Sequence, residues 1–146
     1  GGLPCGLAAR DVLRLEMGYP LYGQDLFGSS TALEAGLGWA VKLDKGEFTG
    51  RAALIRQKGE GLPQILRGLL MQDRRHIPRA HYAVFVGDQL VGEVTSGTFS
   101  PTFERPIAMA YVSPDEAEPA TMVDIEIREM RVPARVVPLP FYRRSS

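Results

Sequence analysis

Apolar positions change their spacing partway along the chain. Cys5, Ala8, Ala9, Val12 and Leu13 recur at i, i+3, i+4, i+7 and i+8, which lines one side of a helix and predicts one from about Pro4 to Leu15. Pro4 suits its first turn. Gly18, Pro20 and Gly23 break that pattern and enclose Tyr19 and Tyr22 in a turn-rich segment. A strand-like run from Trp39 to Leu43 follows, then a turn at Lys45-Gly46 and a second short helix over Arg51 to Lys58. Near Gly59, Gly61 and Pro63 the spacing shifts to short β-branched and alternating runs. A boundary is therefore placed at about residue 62.

Six antiparallel strands are predicted beyond it: Ile65 to Met71, Tyr82 to Val86, Leu90 to Phe99, Ile107 to Val112, Met122 to Arg128 and Arg131 to Val137. Their even spacing implies a barrel or sandwich. Gly87-Asp88 marks a tight turn, and Glu129-Met130 separates two strictly alternating runs. Val123, Ile125 and Ile127 share a face with Val132, Ala134 and Val136, and a two-residue loop there sets Asp124 opposite Arg135. Pro133 suggests an edge position for the last strand. There is no internal repeat and no low-complexity segment.

Length and composition narrow the classes. The chain has 146 residues, 45% hydrophobic and 23% charged, which excludes disorder. Seventeen basic residues balance seventeen acidic ones, so no global field attracts a polyanion and nucleic acid is not an expected partner. Apolar stretches fall far short of the ~20 residues of a spanning helix, so no membrane role and a soluble protein are expected. Cys5 is the only cysteine, which fits a reducing compartment or simple indifference to redox. The chain opens on glycine with no basic and apolar leader, so residue 1 is not expected to be the natural start.

Candidate chemistry is sparse. His76 and His81, five apart across Pro78, match no helical metal pair, and no metal is expected; they read as loop residues leading into the strand at Tyr82. Thr95-Ser96-Gly97-Thr98-Phe99-Ser100-Pro101 is rich in hydroxyls but lacks the end of a phosphate-binding loop, and reads as a strand running into a turn. Cys5 on an apolar helical face is a core residue rather than a nucleophile. Arg10 and Arg14, one turn apart and away from the apolar arc, either hold an anionic ligand or make structural ion pairs with Asp11 and Glu16. Tyr19, Tyr22 and Trp39 can stack on a planar ring, and serve a core equally well. On these grounds alone the chain is a soluble α+β fragment with a β-barrel.

The run Cys5-Gly6-Leu7-Ala8-Ala9-Arg10-Asp11-Val12-Leu13-Arg14-Leu15-Glu16-Met17-Gly18-Tyr19-Pro20-Leu21-Tyr22-Gly23 resembles the signature of the T-protein family of the glycine cleavage system, the aminomethyltransferases. Leu33 to Trp39, Val41 to Gly46, Gly92 to Pro101, Ile107 to Val112 and Leu139 to Tyr142 are similar to the same family in order, so the resemblance covers nearly the whole chain. It implies a partial folate-binding domain with helices (1–62), followed by a six-stranded antiparallel β-barrel (63–146) that packs over the folate channel. Family members are more than twice this long, which implies that the N-terminal part of the same chain is missing here.

The resemblance further implies transfer of an aminomethyl carbon from the lipoylated H-protein to tetrahydrofolate, with release of ammonia. Its proposed catalytic aspartate lies in the N-terminal half, so no catalytic residue is expected in this chain and the fragment alone is expected to be inactive. Arg10 matches the folate-contacting arginine, Tyr19 a pocket-lining aromatic and Trp39 a wall residue, while Arg14 and Glu16 hold the helix. The location implied is the bacterial cytoplasm, or the mitochondrial matrix in a eukaryote. Two alternatives stand beside this. One is a related folate-using domain of a demethylase or of a dimethylglycine- or sarcosine-oxidising enzyme; the other is a non-catalytic β-barrel interaction module.

Overall fold

The computed structural model describes residues 1–144, so the last two positions of the expected 63–146 unit lie outside the described residues. Helix α1 spans Leu7–Glu16 and α2 spans Arg51–Glu60; strands β1 to β6 span Ile65–Met71, Ala83–Val86, Gln89–Ser100, Arg105–Val112, Met122–Ile127 and Met130–Val137. The strands close into an antiparallel barrel in the order β1-β4-β3-β2-β5-β6, with β6 pairing back onto β1. The α+β architecture and the six-stranded barrel expected from the sequence are both present.

Alternation explains the barrel. Leu69, Met71, Val84, Val94, Ala108, Ala110, Val112, Val123, Ile125, Val132, Ala134 and Val136 point inward and form one core. Alanines at three of these positions suit the narrow interior of a six-stranded barrel. A second cluster lies outside: Leu15 of α1 packs on Leu66, Ile107, Met109 and Tyr111, with Leu70, Leu139 and Phe141 at its margin. Strand β4 is therefore covered on both faces, like a strand of a sheet with a helix layered on it. Gly68 makes room for the returning C-terminal segment, since a Cβ there would sit 2.8 Å from the Phe141 ring.

Several local expectations are corrected. Helix α1 begins at Leu7, not Pro4, because its first turn closes on the Gly6 carbonyl, which accepts from the Ala9 amide at 3.1 Å. The expected strand from Trp39 to Leu43 is instead one turn of 3-10 helix over Gly38–Ala40 followed by irregular chain. No neighbouring strand pairs with it, so the Val41 amide bonds back to the Gly38 carbonyl. The turn between β5 and β6 is Arg128-Glu129, both with positive φ (51° and 66°), one residue earlier than Glu129-Met130. Asp124 consequently faces Pro133, and Arg135 faces Met122. This slip moves the pairing by an even number of positions, so the inward face keeps the same residues.

Two more corrections concern burial. Strand β6 is not an edge: the barrel is closed, and Pro133 lies where the β1 pairing ends, its carbonyl accepting from the Gln72 amide at 2.9 Å. The apolar side of α1 is not core. Cys5, Ala8, Ala9 and Leu13 are exposed, and Leu7 is 73% exposed; Leu15 and Glu16 are the buried residues of the helix.

Candidate functional site

Helix α1 ends on the barrel wall. Its last turn is stopped by Gly18 (φ 62°), and the chain then turns back through Leu21 to Leu26 under a short backbone bridge between Tyr22 and Leu26. This loop buries Asp25 completely. The Oδ2 of Asp25 accepts from Arg14 Nη1 at 2.5 Å and from the Leu21 amide at 2.9 Å. Its Oδ1 accepts from Thr95 Oγ1 at 2.5 Å and Ser96 Oγ at 2.7 Å, and its main-chain carbonyl accepts from the Tyr111 hydroxyl at 2.9 Å. Burial of the Tyr111 ring raises the phenol above its usual value, and the nearby Glu34 and Asp25 carboxylates push the same way.

The barrel wall is adapted to this carboxylate. Adjacent side chains of a regular strand point to opposite faces, yet Thr95 and Ser96 reach the same oxygen. The register of β3 against β4 slips between Val94 and Ser96, and this bulge turns both hydroxyls toward Asp25. Glu16, the second buried carboxylate, accepts from Ser100 Oγ at 2.5 Å and Thr102 Oγ1 at 2.9 Å, while its carbonyl accepts from the Tyr142 amide. The hydroxyl-rich run from Thr95 therefore docks two buried acids, a role that its composition alone did not disclose. Glu34, the third, accepts from Gln57 Nε2 at 2.5 Å and Gln64 Nε2 at 3.2 Å, tying α2 and the entry of β1 to the loop.

The two helix arginines separate in role. Arg14, with a side chain 9% exposed, uses Nε on Asp11 (2.7 Å), Nη1 on Asp25, and Nη2 on Gln24 (3.2 Å) and Ser96 (2.9 Å). Asp11 is thus a partner, as expected, whereas Glu16 points to the barrel instead. Arg10 is exposed and has no ion pair or side-chain hydrogen bond among the described residues. It borders a cavity of about 410 Å³ lined by Leu7, Ala8, Asp11, Leu21 and Gln24. Tyr19 (61% exposed) and Trp39 (75% exposed) line a separate cavity of about 600 Å³ with Pro20, Leu37, Arg67 and Pro140. The structure therefore brings Tyr19 and Trp39 together and leaves Arg10 at a second hollow that shares no lining residue with theirs.

In the loop that follows β1, His76 Nδ1 lies 3.0 Å from Asp73 Oδ2, and the hydrogen bonds from Arg75 hold the half-buried Asp73 carboxyl well below the usual carboxylate range. His76 lies in the loop ahead of β2, and His81 stands just before that strand with φ 70°. Among the described residues no group of three or more His, Cys, Asp or Glu converges in a way that could hold a metal ion. No helix is long and apolar enough to cross a membrane.

These features define a class: a closed antiparallel barrel on whose outer wall a helix and loop are pinned through buried carboxylates, with Arg10 unpaired among the described residues and Tyr19 and Trp39 exposed. Residues 65–143 match the family model "Glycine cleavage T-protein C-terminal barrel domain", and residues 1–45 match "GCVT N-terminal domain". The chain belongs to the glycine cleavage T-protein family. It is 52% identical over 143 residues to an aminomethyltransferase of Bacillus cereus, covering 97% of this chain and 39% of that protein. An aminomethyltransferase of Bacillus anthracis is 51% identical over 142 residues, covering 97% and 38%. The crystal structure of the glycine cleavage system aminomethyltransferase T from Bartonella henselae superposes with a TM-score of 0.88 at 38% identity, over 94% of this chain and 39% of that one. The chain thus spans about two fifths of the length of these relatives.

Proposed function

We propose that this chain contributes the folate-side wall and the C-terminal barrel of a tetrahydrofolate-dependent aminomethyltransferase. In that reaction tetrahydrofolate takes the aminomethyl carbon from the lipoylated H-protein and ammonia leaves. Residues 1–62 form part of the folate-binding domain and 63–146 the barrel domain; the protein works in the cytoplasm of a bacterium. The relatives' names and the family match support the reaction class. Arg10, Tyr19 and Trp39 bind the folate, and no residue of this chain is assigned a catalytic role, so the fragment alone is inactive.

The observation that carries the assignment is the contrast between two neighbouring guanidinium groups. Every side of Arg14 is engaged by protein, while Arg10, one turn earlier, keeps its donors free above a hollow walled by Leu7, Ala8 and Leu21. An exposed guanidinium beside apolar walls suits a ligand with a carboxylate and a planar body, and the exposed rings of Tyr19 and Trp39 offer flat faces for such a body. In the protein expressed at its natural length, Arg10→Ala should weaken tetrahydrofolate binding in a fluorescence titration by about 1.5–3 kcal/mol, the worth of a charge-assisted hydrogen bond. Unchanged affinity removes Arg10 from the site. Turnover that does not depend on aminomethyl-loaded H-protein removes the glycine cleavage reaction itself.

A further inference from the structure

We infer that Asp25 is a positioning residue, the anchor through which strand β3 of the barrel sets the shape of the Arg10 cavity. The inference rests on the ligand site proposed above and adds to it a residue that touches no ligand. Three of the residues lining that cavity are held by one hub. Asp11 takes Nε of Arg14, Gln24 takes Nη2, and the Leu21 amide donates to Asp25 Oδ2. Arg14 is in turn fixed by Asp25 and by Ser96. Asp25 is held by Thr95 and Ser96 at the β3 bulge, and its carbonyl by Tyr111 of β4.

The order of dependence is set by burial. Asp25 has no exposed surface, so water cannot replace a lost partner there, whereas Asp11 is 43% exposed and re-solvates freely. A change at Asp25 is thus transmitted outward to Arg14, Gln24 and Leu21 rather than absorbed by solvent. Glu16 supplies a matched control. It is also a buried carboxylate of the first segment, also bonded to hydroxyls of the β3 end, yet none of its partners lines the Arg10 cavity.

The test compares Asp25→Asn, Ser96→Ala and Glu16→Gln in the protein at its natural length, with tetrahydrofolate as the probe. Ser96→Ala is the milder variant: it removes one hydroxyl from Asp25 and Arg14 and leaves the charge pair in place. Asp25→Asn should raise the Kd about tenfold and Ser96→Ala about threefold, with Glu16→Gln within about twofold of the parent although its melting temperature also falls. Equal melting losses with an unaltered Kd in all three would overturn the inference. Amide exchange gives a readout without ligand: the Leu21 amide should exchange faster in Asp25→Asn and Ser96→Ala, and not in Glu16→Gln. If the parent protein fails to bind tetrahydrofolate, the folate reading falls, while faster Leu21 exchange still supports the anchor. Unchanged Leu21 exchange in Asp25→Asn overturns the anchor whatever the ligand.

Discussion

The two regions of the molecule bury different things. Up to residue 62 the buried side chains are Leu15 and Ala35 together with the carboxylates Glu16, Asp25 and Glu34, whereas from Leu66 onward they are almost all hydrocarbon, with the hydroxyls of Thr95, Ser96 and Ser100 as the polar exceptions. Those three hydroxyls face the first region's acids. The barrel is thus held by area removed from water, and the helix and loop outside it by directed bonds to the barrel's wall. A hydrocarbon core tolerates small shifts in direction; a carboxylate with four donors does not. The contrast explains how so little apolar burial in the first region coexists with a defined loop.

The sharpest way to probe the contrast is to damage each side in its own manner. Leu69→Ala, in the barrel interior with no exposed surface, should cost about 4 kcal/mol in urea unfolding, since the closed barrel cannot collapse onto the space. Arg14→Met should cost about 3 kcal/mol by leaving Asp25 buried without its counter-charge; adding Asp25→Leu should recover most of that loss, because a well-packed apolar pair dispenses with the desolvation of both ions. No recovery in the double variant would mean that the hydroxyls of β3 require the acid in their own right. Removing Arg10 lies next in size, through ligand affinity rather than stability.

Tyr111 joins the two regions, and its effect is smaller. Tyr111→Phe loses the bond to the Asp25 carbonyl and should cost about 1 kcal/mol at neutral pH. Because burial raises the phenol above its usual 10.0, the folded protein holds that proton more tightly than the unfolded chain does. The resulting stability is fully present below pH 10 and is lost as the pH climbs through the raised native value, so the parent should lose stability in alkali faster than the Phe variant. The smallest effect is expected on the outward side of α1. Leu13, 62% exposed, should tolerate Ser within about 0.5 kcal/mol in this chain, and a larger loss would show that the side is covered.

Short β-branched and alternating runs bounded by turn residues located all six strands to within one or two residues; the alternation is cleanest in β5 and β6, where inward apolar and outward polar positions take turns, and it is absent from β4, which is covered on both faces. The apolar period located α1 to within three residues, and the second helix lies where it was expected, at Arg51–Glu60. What local pattern cannot carry is direction in three dimensions. The helical period marked the correct stripe of α1 as apolar but not that this stripe faces outward, because which side is buried depends on where the barrel lies. Trp39 to Leu43 has the composition of a strand and no partner to pair with, so it is not one.

Arg10 and Arg14 are indistinguishable by residue type and by spacing. They acquire opposite roles because Asp25, eleven residues beyond Arg14, meets Thr95 and Ser96 of β3 at a bulge that no alternation rule foretells. The barrel strands, the two helices and the family were legible in the chain, since these follow from local runs and residue order. Which charges are buried and which arginine is free depends on the closed fold: a charge leaves water where partners far away in the chain converge on it, and that convergence exists only once the barrel has closed.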